Sequence, residues 1–198
     1  MSEHYFAAEP SSHLTRVPVR ADVWGHRLDL VSASGVFSAG RLDLGTSVLF
    51  RASEPPTGSS TLLDLGCGYG VIACALAAAA PAATVWAVDV NERALQLAVE
   101  NASRTGAADR VRVAAPDAVP DDVRFDQIWS NPPIRVGKQA LHALLLRWLP
   151  RLAPGGEARL VVGRNLGADS LQRWLREQGY GCARAASAKG FRVLCVHS

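Results

Sequence analysis

The chain has 198 residues, 48% of them hydrophobic and 20% charged, which suits one domain with a sizeable core and excludes a disordered chain. The longest apolar run, Val71 through Pro81, is too short to span a bilayer, and residues 1–30 lack a signal-peptide layout, so a cytoplasmic protein is expected. The net charge of +3 rests on nineteen arginines and two lysines, Lys138 and Lys189, which permits an anionic partner without requiring one.

Leu14 to Arg20 and Arg27 to Val31 alternate like a hairpin. Gly35-Val36-Phe37-Ser38 reads as a loop, and Thr46 as the cap of a short helix through Ser53. Pro55-Pro56-Thr57-Gly58 is the one plausible seam. Residues 1–58 therefore read as a small β-rich cap region on a core of residues 59–198, within a single domain over 1–198.

From residue 61 strand and helix signals alternate. Thr61 to Leu65 is a short apolar strand and Gly70 to Ala80 an alanine-rich helix. Thr84 to Val88 is the next strand, and Asn91 caps a helix through Ser103. Arg110 to Ala114 and Phe125 to Trp129 read as strands, and Lys138 to Leu152 as an apolar-faced helix. Pro154-Gly155-Gly156 is read as a break before the strand Ala158 to Val162. A helix over Asp169 to Gln178 precedes strands near Cys182 to Ser187 and Phe191 to His197. This alternation argues for an α/β, Rossmann-like, doubly wound parallel sheet. The last two strands are joined only by Ala188-Lys189-Gly190, so they form an antiparallel hairpin.

Cys67, Cys74, Cys182 and Cys195 form no CxxC pair and read as reduced, buried thiols. The five histidines show no ligand spacing, so no metal is expected.

The first strand of the alternating region runs through Asp64-Leu65-Gly66-Cys67-Gly68-Tyr69-Gly70 into a helix. Glycines at every second position allow a sharp turn and close backbone approach to a ligand. A dinucleotide site wants GxGxxG; here the spacing is GxGxG, and Asp64 precedes it within the strand. A carboxylate there suits a cationic ligand group better than a pyrophosphate. Asp89 ends the second strand, nineteen residues after Gly70, where a carboxylate reaches the two hydroxyls of a ribose. Asp117 follows the third strand, placed to accept from an adenine amino group. Each aspartate singly could be a turn residue, but three in register line the carboxyl edge where such folds bind ligands.

Asp64 to Gly70, Asp89-Val90-Asn91-Glu92-Arg93-Ala94 and Ser130 to Lys138 resemble the class I S-adenosylmethionine-dependent methyltransferases. More narrowly, they resemble the small-domain type that includes bacterial ribosomal RNA guanine-N2 methyltransferases. Gly35 to Ser38 and Leu42 to Thr46 resemble that group's lead-in to the sheet. The resemblance implies seven strands in the order 3-2-1-4-5-7-6 with strand seven antiparallel. It implies cofactor contacts from Asp64, Gly66, Cys67, Gly68, Tyr69, Gly70, Asp89, Val90, Asp117, Ala118 and Asn131, with Phe37 and Thr46 in the lead-in. Members acting on ribosomal RNA commonly carry an extra N-terminal domain, for which this chain has no room.

Asn131-Pro132-Pro133 ends the fourth strand of this region. The residue before a proline is pushed into the extended region, and a proline has no N–H. The corner is therefore rigid and presents the Asn131 side-chain carbonyl and the Pro132 backbone carbonyl as acceptors. In the resembling family these oxygens hold a planar exocyclic amine, which makes Asn131, Pro132 and Pro133 the catalytic candidates. Relatives acting on adenine or glutamine usually place Tyr or Phe next; Ile134-Arg135 resembles the guanine-N2 group instead. Ile134, Arg135 and Lys138 are the candidate substrate contacts, Arg135 and Lys138 being equally readable as solvated loop charges. The expected partner is RNA. Rival readings are a small-molecule or protein side-chain amine, a non-catalytic binding subunit, and an NAD-dependent oxidoreductase, the last disfavoured by the glycine spacing. Replacing Asn131 by Asp keeps an acceptor and is expected to leave partial activity.

Overall fold

The structure is a computed structural model that describes residues 15–36, 40–133 and 137–198. Strands β1 (Arg16–Val23) and β2 (His26–Ala33) form an antiparallel hairpin; β1 starts later than the alternation suggests and runs on to Val23, while β2 is longer at both ends. Its turn, Trp24-Gly25, has positive φ at both residues (49° and 82°), the two-residue geometry whose twist matches the flanking strands. A tryptophan is an unusual occupant of that position. The Trp24 indole N–H donates to the carbonyls of Phe50 and Ser53 at 3.1 and 3.0 Å, fastening the turn to the end of helix α1 (Leu44–Arg51).

The cap of α1 is Asp43 rather than Thr46. The Asp43 carboxylate accepts from the Thr46 N–H at 3.0 Å, so Thr46 lies inside the first turn, buried, as a recipient of the cap. An aspartate three residues upstream supplies the acceptor that the first turn lacks.

The second sheet holds β3 (Thr61–Leu65), β4 (Thr84–Val88), β5 (Val111–Ala114), β6 (Phe125–Ser130), β7 (Leu152–Gly163), β8 (Gly181–Ala188) and β9 (Phe191–His197). Their order is β5-β4-β3-β6-β7-β9-β8, with β9 antiparallel to both neighbours and every other pairing parallel. Counted from β3 as strand one, this is the expected 3-2-1-4-5-7-6. Helices α2 (Val71–Ala79) and α3 (Glu92–Arg104) lie with α1 and the hairpin over one face; α4 (Lys138–Trp148) and α5 (Ala168–Glu177) cover the other. Asn91 caps α3, accepting from the N–H groups of Arg93 and Ala94.

Two expectations fail between α4 and β7. The helix stops at Trp148, a single 3-10 turn follows, and Leu152 already belongs to β7. Pro154-Gly155-Gly156 does not break the strand. It is accommodated where the register slips, with Phe125 opposite Leu152 and Gln127 opposite Glu157. A Cβ on Gly156 would stand 2.9 Å from the Asp126 carbonyl oxygen, so the chain folds in against β6 only because that residue has no side chain.

The hairpin is bonded to the main sheet's helical layer through Asn101, which is wholly buried. Its carbonyl accepts from the Val31 N–H at 2.8 Å, and its NH2 donates to the carbonyls of Val31 (2.8 Å) and Tyr69 (2.7 Å). One side chain on α3 thereby ties β2 to the loop leading into α2. Among the described residues no helix is long and apolar enough to cross a membrane.

Candidate active site

The site lies at the carboxyl edge of the parallel strands. Asp64, the next-to-last residue of β3, is wholly buried. Its Oδ2 accepts from the Ala73 N–H in the first turn of α2 at 2.9 Å, while Oδ1 has no hydrogen-bond partner. Burial raises its pKa to about 8; the Ala73 bond opposes that rise and the nearby Asp89 charge adds to it. A buried carboxylate with an open oxygen costs stability in the free protein, and a cationic ligand group relieves that cost.

The loop after Asp64 is held from β4. The N–H groups of Gly66 and Cys67 donate to the Val88 carbonyl at 2.8 and 3.0 Å. The Asp89 carboxylate accepts from the Gly68 N–H and the Asn91 N–H, each at 2.9 Å. Burial again raises its pKa, and its backbone hydrogen bonds restrain the rise.

The glycines of this loop do different jobs. At Gly66 (φ 73°) an added Cβ would meet only the Pro133 ring, at 3.8 Å. At Gly70 (φ 83°) it would stand 3.1 Å from the Ala98 backbone. Gly66 keeps the backbone open to a ligand, whereas Gly70 lets α2 and α3 close upon each other. Cys67 and Tyr69 are buried; the Cys67 thiol points back to the Gly68 carbonyl at 3.6 Å. Neither side chain lies open on the loop surface.

The Asn-Pro-Pro corner follows β6, the strand beside β3. The buried Ser130 hydroxyl donates to the Leu65 carbonyl at 2.7 Å, locking the corner to the start of the glycine loop. The Asn131 NH2 donates to Asp43 Oδ1 at 2.7 Å and to Thr46 Oγ1 at 3.0 Å. Because a carboxylate only accepts, this pairing fixes which end of the amide faces α1. Both amide hydrogens are used there, and the Asn131 carbonyl is left facing away from Asp43. Pro132 is buried and Pro133 half-buried.

Val90 is 49% exposed, an apolar side chain left open beside Asp89. Asp117 and Ala118 are exposed in a 3-10 turn over Pro116–Ala118, and Asp117 is paired with Arg147 of α4 at 2.7 Å. Lys138, the first residue of α4, is exposed. Phe37, Ile134 and Arg135 lie outside the described residues. Thus the glycine loop, Asp64, Asp89, Asn131 and Thr46 converge, while Asp117 is engaged with a neighbouring helix. Two supports of the corner, Asp43 and Ser130, were not legible as such. An aspartate before a helical pattern signals a cap, which marks Asp43 only in part.

At the opposite edge β7 and β9 bring Glu157, Cys195 and His197 together, their ligand atoms all within 4.8 Å. Glu157 is already paired with Arg159 at 2.5 Å and accepts from the Cys195 thiol at 3.0 Å. The group reads as a hydrogen-bonded ion-pair network.

A glycine loop with one acid in its own strand and a second after the neighbouring strand, on a sheet with an antiparallel final strand, is the arrangement of the S-adenosylmethionine-dependent methyltransferases. The methyltransferase small domain family matches residues 27–195, and the chain belongs to that family; its cofactor is S-adenosylmethionine. It is 34% identical to the uncharacterized protein YbxB of Bacillus subtilis (strain 168), over 98% of both chains. It is 37% identical to the ribosomal RNA small subunit methyltransferase C of Pseudomonas aeruginosa (strain LESB58), over 94% of this chain and 56% of that one. The fold superposes on the T. Thermophilus 16S rRNA N2 methyltransferase, solved with AdoMet and guanosine, with a TM-score of 0.77 and 25% identity. That match covers 96% of this chain and 52% of the other. The chain therefore spans about half the length of these two methyltransferases.

The Asp64 carboxyl gives the free protein a pH signature. The folded state holds a proton up to about pH 8 that the unfolded chain releases near pH 4. Between these values the folded state binds more protons, so this group's contribution to stability falls as pH rises. The slope approaches about 1.4 kcal/mol per pH unit, the limit for one proton. Asp64→Asn is expected to flatten that decline in urea titrations from pH 5 to 8; parallel profiles for variant and parent would show that Asp64 ionises normally.

Proposed function

We propose that this protein methylates the exocyclic N2 amine of guanine in RNA, ribosomal RNA being the class its relatives' names indicate. The observation that carries the reading is the orientation of Asn131: with both amide hydrogens bound to Asp43 and Thr46, its carbonyl is preset as an acceptor.

The residues fit S-adenosylmethionine. The open Oδ1 of Asp64 suits the cationic amino-acid end, Asp89 suits the ribose hydroxyls, and Val90 with the turn carrying Asp117 and Ala118 suits the adenine. Gly66 and Gly68 line the path between, and Thr46 reaches the site through Asn131. When bound, the cofactor supplies an electrophilic methyl on sulfonium.

The remaining work belongs to the corner. The lone pair of an exocyclic guanine amine is delocalised into the ring, so the amine is a poor nucleophile. The Asn131 side-chain carbonyl and the Pro132 backbone carbonyl accept its two N–H bonds and turn the lone pair toward the methyl. As nitrogen gains positive charge those two bonds strengthen, which favours the transition state over the ground state. Pro132 and Pro133 hold both acceptors rigid, and Ser130 fixes the corner beside the glycine loop. One proton leaves nitrogen after transfer; because that nitrogen's lone pair returns to the ring once the proton is lost, the methylated amine is strongly acidic and gives the proton to water, so no strongly basic side chain is required.

Nucleoside mass spectrometry of ribosomal RNA from cells with and without the gene tests the reading. N2-methylguanosine is expected to be lost without the gene and restored by incubating that RNA with the pure protein and S-adenosylmethionine. An identical nucleoside profile, with transfer instead to a small-molecule or protein amine, would overturn it.

A further inference from the structure

We propose that the strands beyond Asn131 form a cationic wall that grips the phosphates flanking the target nucleotide, with Arg164, Lys189 and Lys138 as its contacts. This rests on the guanine-in-RNA reading and names the surface that reading requires.

The wall follows from strand lengths. β6 and β7 are parallel neighbours, with Ser130 opposite Leu160. β6 ends there, whereas β7 continues to Gly163 and delivers Arg164. At about 3.3 Å per residue, Arg164 stands roughly 10 Å above the level of Asn131. β9 pairs alongside, Gly163 opposite Phe191, so the β8–β9 turn, Lys189-Gly190, rises to the same height. The Arg164 N–H donates to the Gly190 carbonyl at 2.8 Å, which makes the two segments one lip. Its base is anchored across the corner: a Cβ on Gly45 would lie 2.9 Å from the Phe191 ring, and Gly45 sits between Asp43 and Thr46, the partners of Asn131. Lys138 opens α4 just after the corner.

The charges on this lip are available. Arg164, Lys189 and Lys138 are exposed, and among the described residues none has an ion pair or side-chain hydrogen bond to a carboxylate. Asp169, in the first turn of α5 a few residues after Arg164, is paired with Arg192. Lys189 also takes an unfavourable conformation, φ 49° in a two-residue turn, where asparagine or glycine is preferred. The other hairpin places Trp24 in the same conformation and recovers the cost through two indole hydrogen bonds. Among the described residues Lys189 has no such return; a phosphate bound at the lip would supply one.

RNA fits this surface better than an acidic protein does, because the lip adjoins a corner shaped for a planar amine, and a strand entering that corner must lay phosphates on either side of it. The test uses the full chain, a fluorescent 20-nucleotide single-stranded RNA containing guanine, and anisotropy across a salt series. Each phosphate contact contributes about 0.7 to the slope of log affinity on log salt for single strands. Arg164→Ala with Lys189→Ala is therefore expected to flatten the slope by about 1.4, and Arg164→Lys with Lys189→Arg to keep it. S-adenosylmethionine affinity, measured in parallel, should be unchanged in both double variants, showing that they fold. If the parent binds with a salt-dependent slope that the alanine pair shares, the wall is overturned while the guanine reading stands. Competition by polyglutamate as effective as that by RNA would also overturn it, as a general anion patch. If the parent shows no salt-dependent binding to this RNA or to ribosomal RNA, the guanine reading fails and the wall falls with it.

Discussion

Asn131→Ala is expected to lower the rate of methyl transfer by about a hundred- to a thousandfold, the usual effect of removing one preorganised polar contact to a developing charge. Cofactor affinity and folding should survive, because among the described residues the Asn131 side chain is bonded only to Asp43 and Thr46. The loss belongs to the chemical step, so single-turnover rates with saturating S-adenosylmethionine are the measurement. A variant that turns over like the parent would reduce the corner to a strand stop.

Asn131→Asp is the sharper variant, and here the structure reverses what the sequence alone suggests. Aspartate keeps an acceptor, which argues for partial activity. Yet the Asn131 NH2 stands 2.7 Å from the Asp43 carboxylate, and a second carboxylate there meets like charge with no donor between them. The expected result at neutral pH is activity no better than the alanine variant, with some recovery at low pH as the pair takes up a shared proton. Asp43→Asn tests the same contact from the other side. Its amide can still pair with Asn131 but no longer forces the Asn131 carbonyl outward, so the rate should fall while S-adenosylmethionine binding stays near the parent value.

The second large effect is on binding. Asp89→Ala is expected to weaken S-adenosylmethionine by about ten- to a hundredfold, equivalent to the 1.5–3 kcal/mol typical of hydrogen bonds to a charged group. The structure adds a second route to the same loss. Asp89 also accepts from the Gly68 and Asn91 N–H groups, so its removal loosens the loop that receives the cofactor. Asp89→Asn retains one acceptor oxygen and should fall between alanine and parent. Calorimetry on folded protein decides it, and an unchanged affinity in Asp89→Ala would remove Asp89 from the cofactor site.

Much of this protein is written locally. The alternation from Thr61 onward, the Asn91 cap and the short Ala188-Lys189-Gly190 link depend on neighbours within a few residues, and each appears in the fold. The glycine loop was legible because its spacing and its acidic partners lie at fixed distances along the chain. What failed also failed locally. Pro154-Gly155-Gly156 looks like a stop, but against β6 it becomes a slip in register, since Gly156 tolerates the Asp126 carbonyl at a distance no side chain would.

The sequence by itself determined the alternating strands and helices, the closing antiparallel hairpin and an Asn-Pro-Pro corner, because periodicity, link length and proline geometry are properties of short stretches of chain; the strand order came from the family resemblance. Only the tertiary structure decided how that corner is aimed. Asp43 lies 88 positions from Asn131, and its carboxylate selects which end of the amide faces the site. It likewise decided that Gly70 packs against Ala98 of α3, and that Asp117 is held by Arg147. A hydrogen bond's direction and a side chain's partner are set by what folding brings within 3 Å, which no local pattern encodes.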